Sequence, residues 1–530
     1  MLFGQQDSLK EPTAPDAVEV DAPKVVAVVD VGSTAIRMVV AEIQPSGDWQ
    51  RLDRASKPVS LGRDVFVTGF ISRESMRQAI KILDGFCELL RGWQLSPGDV
   101  RVIATTAIRE AKNRDTFVDR VNVRTGLDIN IVEGVEENQL TYLAVQHAVN
   151  GMRGQFARSS SLIIEVGGGT TEVMLLHRGR MVAAHSLRLG TVRIEQQLQP
   201  GWKPGYQIEE YLKENVRVTK ELLDGELSLD RIKYFVAVGG DARRAAATVG
   251  RKDDDEYSVI EKSDFDGFVA RIQDLSVDEC VRELGITYNE AEGLVPALLI
   301  YKLFLEATSA ERLIVPDVSI REGVLVSFAL GKDKAIEKEF SKQIIASARN
   351  LGRKFHYDED HSLHVTKLSL SFFDQFKDEH GLGEHARLLL EVAATLHDIG
   401  SYIRASGHHK HGQYIVENSE LFGLSVDDIR IVGNVIRYHR KSLPTPAHTE
   451  YVSLRREQRM AVVKLAAILR VADALDRGHS QRIDDITLEE NEDDLIIHCH
   501  HRGDISNERY GIDMKADMFE EVFGYRIVIA

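Results

Sequence analysis

Two short stretches of this 530-residue chain carry the residue types that can grip a phosphate group. Asp30-Val-Gly-Ser-Thr34 and Glu165-Val-Gly-Gly-Gly-Thr-Thr171 each sit between two apolar runs. Phosphate oxygens need close backbone N–H donors, and glycine allows both the approach and the turn. A neighbouring hydroxyl adds a donor, and a carboxylate at a strand end suits a divalent cation. Gly32, Ser33, Thr34, Gly167, Gly168, Gly169 and Thr170 are therefore candidate phosphate binders, with Asp30 and Glu165 as candidate cation ligands. One such loop is as readily a plain hairpin. Its repetition about 135 residues later, with Gly239-Gly240 following, is what two related, facing lobes would leave in a sequence.

A second group of residues lies further along. His361 opens a helical pattern, His397-Asp398 follows the apolar stretch Leu388–Leu396, and Asp473 sits in a helical run. Imidazole and carboxylate together suit divalent transition metals. This His…His-Asp…Asp order resembles the HD phosphohydrolase superfamily. His411 and His439 extend the resemblance to six-ligand sets that hold two metals, so one or more divalent transition metals are expected there. His408 and His409 read as loop or substrate-facing residues. Arg437, His439, Arg440 and Lys441 form a basic run able to hold part of a polyanion.

The elements that must position these groups follow from hydrophobic periodicity. Val25–Val29 and Arg37–Ile43 read as strands flanking the first loop, and Leu162–Val166 and Glu172–Leu176 as strands flanking the second. Val100–Thr105, Asp128–Val132, Phe235–Val238 and Leu313–Val315 are further strands. Asp115–Thr125, Glu136–Asn150, Ala242–Val249 and Ile320–Leu330 are helices. Lys252–Lys262 reads as a charged surface connection. From Asp333 to about Asp476 the period is helical throughout. Ile486–Ile529 alternates like strands, with one short helix around Asp517–Phe523. The fold class is α/β: two lobes, then an all-α domain and a small α+β appendix. The divisions are 1–23 (disordered tail), 24–150, 151–332, 333–482 and 483–530.

Bulk properties narrow the function. The net charge of −16 argues against non-specific nucleic-acid binding. Cys87, Cys280 and Cys499 have no metal-type spacing and read as reduced thiols in a cytoplasmic protein. No apolar run approaches the roughly 20 residues of a membrane span.

The motifs also carry a more specific resemblance. Val29-Asp30-Val-Gly-Ser33, Ala104-Thr-Thr-Ala-Ile-Arg109-Glu-Ala111, Val132-Glu-Gly-Val-Glu136-Glu137, Ile164-Glu-Val-Gly-Gly-Gly169-Thr-Thr-Glu172, Leu189-Gly-Thr191, Val238-Gly-Gly240 and Ile320-Arg-Glu-Gly-Val-Leu325 occur in the order found in the exopolyphosphatase and guanosine pentaphosphate phosphohydrolase (Ppx/GppA) family. The resemblance covers about residues 24–330, and longer members resemble the remainder. It implies two actin-like (ribonuclease H-like) lobes and hydrolysis of a terminal phosphoanhydride. It implies Glu137 as the base that activates water, Arg109 as a cation on the phosphate, and Mg²⁺ or Mn²⁺ at Asp30 and Glu165. The substrate it implies is inorganic polyphosphate, or guanosine pentaphosphate, and the assembly a homodimer; the alternatives are a metal-dependent nucleotide phosphohydrolase acting through the HD-type region, or a non-catalytic polyphosphate- or alarmone-binding regulator. The chain departs from the family pattern in three places. Glu165 stands where Asp is usual, Asn138-Gln139 replace Ala-Arg, and Thr34 replaces Asn.

Overall fold

The computed structural model describes residues 23–45, 48–197, 204–330, 334–419, 421–441, 443–491 and 493–530. The acidic tail expected over 1–23 lies outside these residues but for its last one.

Two sheets dominate the first 330 residues. The first has the order β3-β2-β1-β4-β5, from β1 (Lys24–Val31), β2 (Ala35–Ile43), β3 (Trp49–Pro58), β4 (Val100–Ala104) and β5 (Ile129–Ile131). β1 is central, antiparallel to β2 and parallel to β4, and its last six residues are buried. A strand covered on both faces needs an unbroken apolar run, which Val-Ala-Val-Val supplies. Helices cover one face, while helix Ile320–Leu330 packs on the other through Ile320, Val324 and Leu325.

The second sheet repeats the device. Its order is β10-β11-β12-β9-β6-β7-β8, with β6 (Ser160–Val166), β7 (Thr171–His177), β8 (Arg180–Leu187), β9 (Ile232–Val238), β10 (Arg251–Lys252), β11 (Tyr257–Glu261) and β12 (Arg312–Pro316). The β6–β7 hairpin carries the second glycine loop as β1–β2 carries the first. The stretch expected as a surface connection over 252–262 instead forms edge strands β10 and β11. Val259 and Ile260 are buried there, and the acidic run Asp253–Glu256 hid their short pattern.

Between residues 334 and 474 the described elements are all helical. The C-terminal segment forms β13 (Ile483–Glu490), β14 (Asp494–His501) and β15 (Arg526–Ile529). It contains two helices, Ser506–Lys515 and Asp517–Phe523, where one was expected. The first buries only Glu508, Gly511 and Ile512, so it left almost no apolar signature. One continuous core joins the helical region to this segment, running from Ile344 through Phe372 and Leu469 to Phe519 and Ile527. Phe422 of the helical region packs edge-on against Tyr142 of helix Gly134–Ala148, 5.6 Å between centroids. No helix among the described residues is long and apolar enough to cross a membrane.

Candidate active site and a second metal-type cluster

The two glycine loops meet. A Cβ on Gly168 would lie 3.1 Å from Ser33 Cβ and 3.2 Å from Thr34 Cγ2. One on Gly190 would lie 2.3 Å from Gly168 O, so the Leu189-Gly-Thr191 turn presses on the second loop backbone to backbone. Thr191 and Val192 donate N–H bonds to Gly167 O and Gly168 O, at 3.0 Å each. Gly32 and Gly167 use their own N–H groups inside the turns, on Ala35 O (3.1 Å) and Thr170 O (2.9 Å). These two glycines shape the loops rather than offering a free donor. Thr106 and Thr170 hydroxyls are 3.2 Å apart across the lobes and buried.

Carboxylates gather beside the loops. Asp30 ends β1 and is 7% exposed, with Arg37 Nη1 at 4.0 Å from its Oδ2. Glu165 ends β6, and the Thr141 hydroxyl donates to its Oε2. Burial pushes both carboxyls above their ordinary range; Glu322 adds repulsion at Asp30, Asp30 adds it at Glu165, and Arg321 moderates both. Glu172, on β7, is 2% exposed and accepts from Ser186 Oγ at 2.7 Å. Its Oε2 makes no hydrogen bond. Burial, then the charge of Glu137, raises its carboxyl well above normal.

Glu137 lies in the first turn of helix Gly134–Ala148, with its side chain 13% exposed. Arg109 Nη1 donates to its Oε2 at 3.2 Å and to Val132 O at 2.6 Å, while Nη2 donates to Thr106 Oγ1 at 3.2 Å. Burial pushes the Glu137 carboxyl up to about 7, against the pull of Arg109 and with help from Glu165 and Asp30. The residues expected to act together do converge: the two loops meet, and Asp30, Glu165, Arg109 and Glu137 share one electrostatic environment. Thr141, Arg321 and the side-chain role of Glu172 were missed as site residues. Glu172 had a signal, since it closes the second glycine motif. Buried carboxylates, one with an unpartnered oxygen, are of the type a hard divalent cation takes, although among the described residues no three of them bring ligand atoms within 4.8 Å of one another.

A second cluster lies in the helical region. His361, His397 and Asp473 bring ligand-type atoms within 4.8 Å of one another, and so do Asp398, His408 and His439. His361 and His397 are 0% exposed, and His439 is 1%. Each imidazole is held through Nδ1: His397 on Ala394 O (2.7 Å), His408 on Ala405 O (3.0 Å), His439 on Ile436 O (2.6 Å) and His361 on Asp476 Oδ2 (2.8 Å). An Nδ1–H donated to a carbonyl leaves Nε2 as a bare lone pair. Yet His361 and His397 face each other Nε2 to Nε2 at 3.2 Å, and His408 and His439 do the same. Asp398 Oδ1 lies 3.2 Å from His408 Nε2, and Asp473 Oδ1 lies 3.7 Å from His361 Nε2. Converging lone pairs repel unless a cation sits among them, so this donor set fits borderline metals. Lys515 pairs with Asp473 from the other side.

His411, expected as a ligand, belongs to neither triad, and His408 stands in its place. Helix His408–Glu417 starts after left-handed Gly407, and the Ala405 carbonyl turns His408 inward on the first turn. A Cβ on Gly400 would lie 2.0 Å from His408 O, which shows how tightly that turn is pinned. His411 is one turn on and half-buried. His439 leaves the expected basic run for the cluster, and Arg440 and Lys441 are exposed. Asp476 and Lys515 were not anticipated; Asp476, three residues after Asp473, was legible as an orienting carboxylate.

Residues 39–332 match the model of the Ppx/GppA phosphatase family, and residues 345–507 match Ppx/GppA phosphatase, domain III. The chain belongs to the Ppx/GppA phosphatase family. It is accordingly a hydrolase of phosphoanhydride bonds. The domain III match takes in most of the helical region and the first two strands of the C-terminal segment. A crystal structure of an exopolyphosphatase from Cytophaga hutchinsonii is similar at 20% identity, with a TM-score of 0.52 over 58% of this chain and 98% of that one. An exopolyphosphatase-like protein gives 18% and 0.51 over 58% and 98%. The Aquifex aeolicus member of the Ppx/GppA family gives 24% and 0.47 over 59% and 99%. The likeness to the first two is one of fold.

Proposed function

We propose that the interlobe site removes the terminal phosphoryl group of inorganic polyphosphate, with Glu137 activating water. The observation that carries this is the Arg109–Glu137 pair. A carboxyl lifted to about 7 is a competent base near neutral pH. Water oxygen attacks phosphorus, its proton passes to Glu137, and the anhydride P–O bond breaks to leave orthophosphate and a chain one unit shorter. Arg109 steadies charge on the phosphoryl oxygens, within reach of the Thr106 and Thr170 hydroxyls. Ser33, Thr34, Gly168, Gly169 and Thr170 cradle the phosphates. Asp30 and Glu165 would hold Mg²⁺ or Mn²⁺, which would neutralise phosphate charge when bound.

Guanosine pentaphosphate is the second reading. Ser33, Thr34, Arg63, Thr191, Glu195 and Glu292 line a shallow interlobe hollow that opens to solvent. Two carboxylates repel a polyanion but accept from the N–H edge of a guanine. Orthophosphate release from long polyphosphate and from guanosine pentaphosphate, by wild type and Glu137→Ala, tests both readings. Equal rates in the two proteins would remove Glu137 from the mechanism.

In domain III, His361, His397, Asp398, His408, His439 and Asp473 are proposed to hold divalent transition metal, as in HD-type proteins. The converging Nε2 lone pairs support this.

A further inference from the structure

Arg193 is the third residue of helix Thr191–Gln197, whose start closes over the second glycine loop. Thr191 and Val192 hold the carbonyls of Gly167 and Gly168 through their N–H groups, and Arg193 takes the next carbonyl, Gly169 O, through Nε at 2.7 Å. The rest of the guanidinium leaves its own lobe. Nη2 donates to Glu110 Oε2 at 2.5 Å, and the central carbon lies over Phe66, 4.0 Å from the ring centroid. Glu110 and Phe66 belong to the first lobe, in helices Thr106–Glu110 and Leu61–Thr68. Gly169 is pressed between the same two helices: an added Cβ would lie 2.6 Å from Phe66 Cζ and 2.7 Å from Thr106 Cγ2.

Successive side chains leave a helix about 100° apart. Arg109 therefore turns inward to Val132 O and Glu137, while its neighbour Glu110 reaches across to Arg193. The Arg193 side chain is 14% exposed, so its bond to Glu110 is charge-assisted and shielded, and the ring beneath adds a cation–π contact. Neither contact can form with the lobes apart. With Nε and Nη2 on protein oxygens and one face on Phe66, Arg193 grips protein rather than substrate. Arg188 also reaches Glu110, at 3.3 Å, but it is 74% exposed, and so open a pair contributes little.

We propose that Arg193 and Glu110 are positioning residues for the hydrolysis: the pair holds helix Thr106–Glu110 of the first lobe against the second glycine loop, and so sets where Arg109 and Glu137 stand over the phosphates in that loop. This rests on the reading of Glu137 as the base. One chain of contacts then runs from Gly169 through Arg193 and Glu110 to Arg109 and Glu137, and the base is in register with the phosphate cradle only when the two lobes meet.

The test is a double-mutant cycle in the full-length protein. It is read as kcat and KM for orthophosphate release from polyphosphate or guanosine pentaphosphate, whichever wild type cleaves faster. Glu110→Ala leaves the bond to Gly169 O in place and removes only the crossing; it should lower kcat about 10–100-fold, with KM changed less than about threefold. Arg193→Ala should match it, and where that variant fails to fold, Glu110→Ala decides, since the Glu110 side chain is 28% exposed. Glu110→Gln keeps an acceptor for Arg193 and should recover most of kcat. Arg188→Ala takes a charge from Glu110 but leaves the crossing, and should keep wild-type kcat. Arg109→Lys combined with Glu110→Ala should cost little more than the worse single change, because both act through one guanidinium, whereas independent structural roles would make the losses multiply. The proposal is overturned by Glu110→Ala with wild-type kcat, by a loss confined to KM, by losses that multiply, or by an equal fall in Arg188→Ala. In each case an inactive Glu137→Gln leaves the base reading standing. Wild-type kcat in Glu137→Gln would overturn that reading and this proposal with it.

Discussion

Arg109 Nη1 lies 3.2 Å from Glu137 Oε2 and 2.6 Å from the Val132 carbonyl, so one guanidinium ties the end of β5 to the first turn of the helix that follows. The fork holds Glu137 without neutralising it fully, because burial keeps its carboxyl near 7. Two replacements separate these roles. Glu137→Gln is isosteric and should lower kcat by about 10²–10⁴-fold, the usual value of a general base, with a smaller change in KM. Arg109→Lys should lower kcat/KM by at least tenfold, because an ammonium cannot span Val132, Thr106 and Glu137 together. Steady-state release of orthophosphate measures both, and wild-type kcat in Glu137→Gln would exclude it as the base.

The raised carboxyl of Glu137 also has a stability consequence of definite sign. The folded protein holds the proton up to about pH 7, whereas the unfolded chain releases it near 4.5. Its contribution is therefore fully present below about pH 4.5 and fades as pH rises through 7. Glutamine cannot ionise and escapes that penalty. In metal-free buffer Glu137→Gln should be more stable than wild type at pH 8 by on the order of 2 kcal/mol, converging with it near pH 4.5. Urea unfolding of both proteins across pH reads this directly; a gap that widens in acid would contradict the sign.

Thr141 supplies the third prediction. Its hydroxyl donates to Glu165 Oε2 and opposes the upward push of burial on that carboxyl. Thr141→Val keeps the shape and removes the donor, so Glu165 should ionise less readily and sit less firmly. Orienting partners of this kind are worth roughly 10–100-fold in metal affinity. The Mg²⁺ concentration giving half-maximal activity should rise within that range, while kcat at saturating Mg²⁺ changes far less. An unchanged Mg²⁺ titration would mean that Glu165 holds no cation.

How much of this was legible in the sequence depended on range. The strands flanking both loops were readable because Val25–Val29 and Leu162–Ile164 are continuous apolar runs, and each loop is a local turn. Arg109 and Glu137 were identifiable only through their motifs, since their contact spans 28 positions. Thr141 was invisible as a partner of Glu165, because its role depends on how the helix crosses the sheet. The choice of His408 over His411 turned on a backbone carbonyl at Ala405 and the packing of Gly400, which no spacing rule encodes. Helix Ser506–Lys515 was missed because it buries so little, yet it delivers Lys515 to Asp473.

The last prediction concerns a helix crossing next to Glu137. Helices Gly134–Ala148 and Ile320–Leu330 cross at Gly323, where an added Cβ would lie 2.0 Å from Leu140 O. That neighbour is backbone and cannot rotate away, so Gly323→Ala must push the helices apart. Leu140 is three residues from Glu137, and the displacement is carried to the base. We expect a loss of about 1–3 kcal/mol in stability, the range for overpacking. A fall in kcat should exceed any change in phosphate binding, because a base displaced by a fraction of an ångström still leaves the loops intact. Gly225→Ala is the control. It lies in helix Pro204–Glu226 with nothing within 4 Å of the added Cβ. There the better helix propensity of alanine should raise stability by up to about 1 kcal/mol with kcat unchanged. Thermal unfolding and orthophosphate release on the two variants side by side decide the matter. Gly323→Ala with the melting temperature and kcat of wild type would show that the helix crossing does not position Glu137.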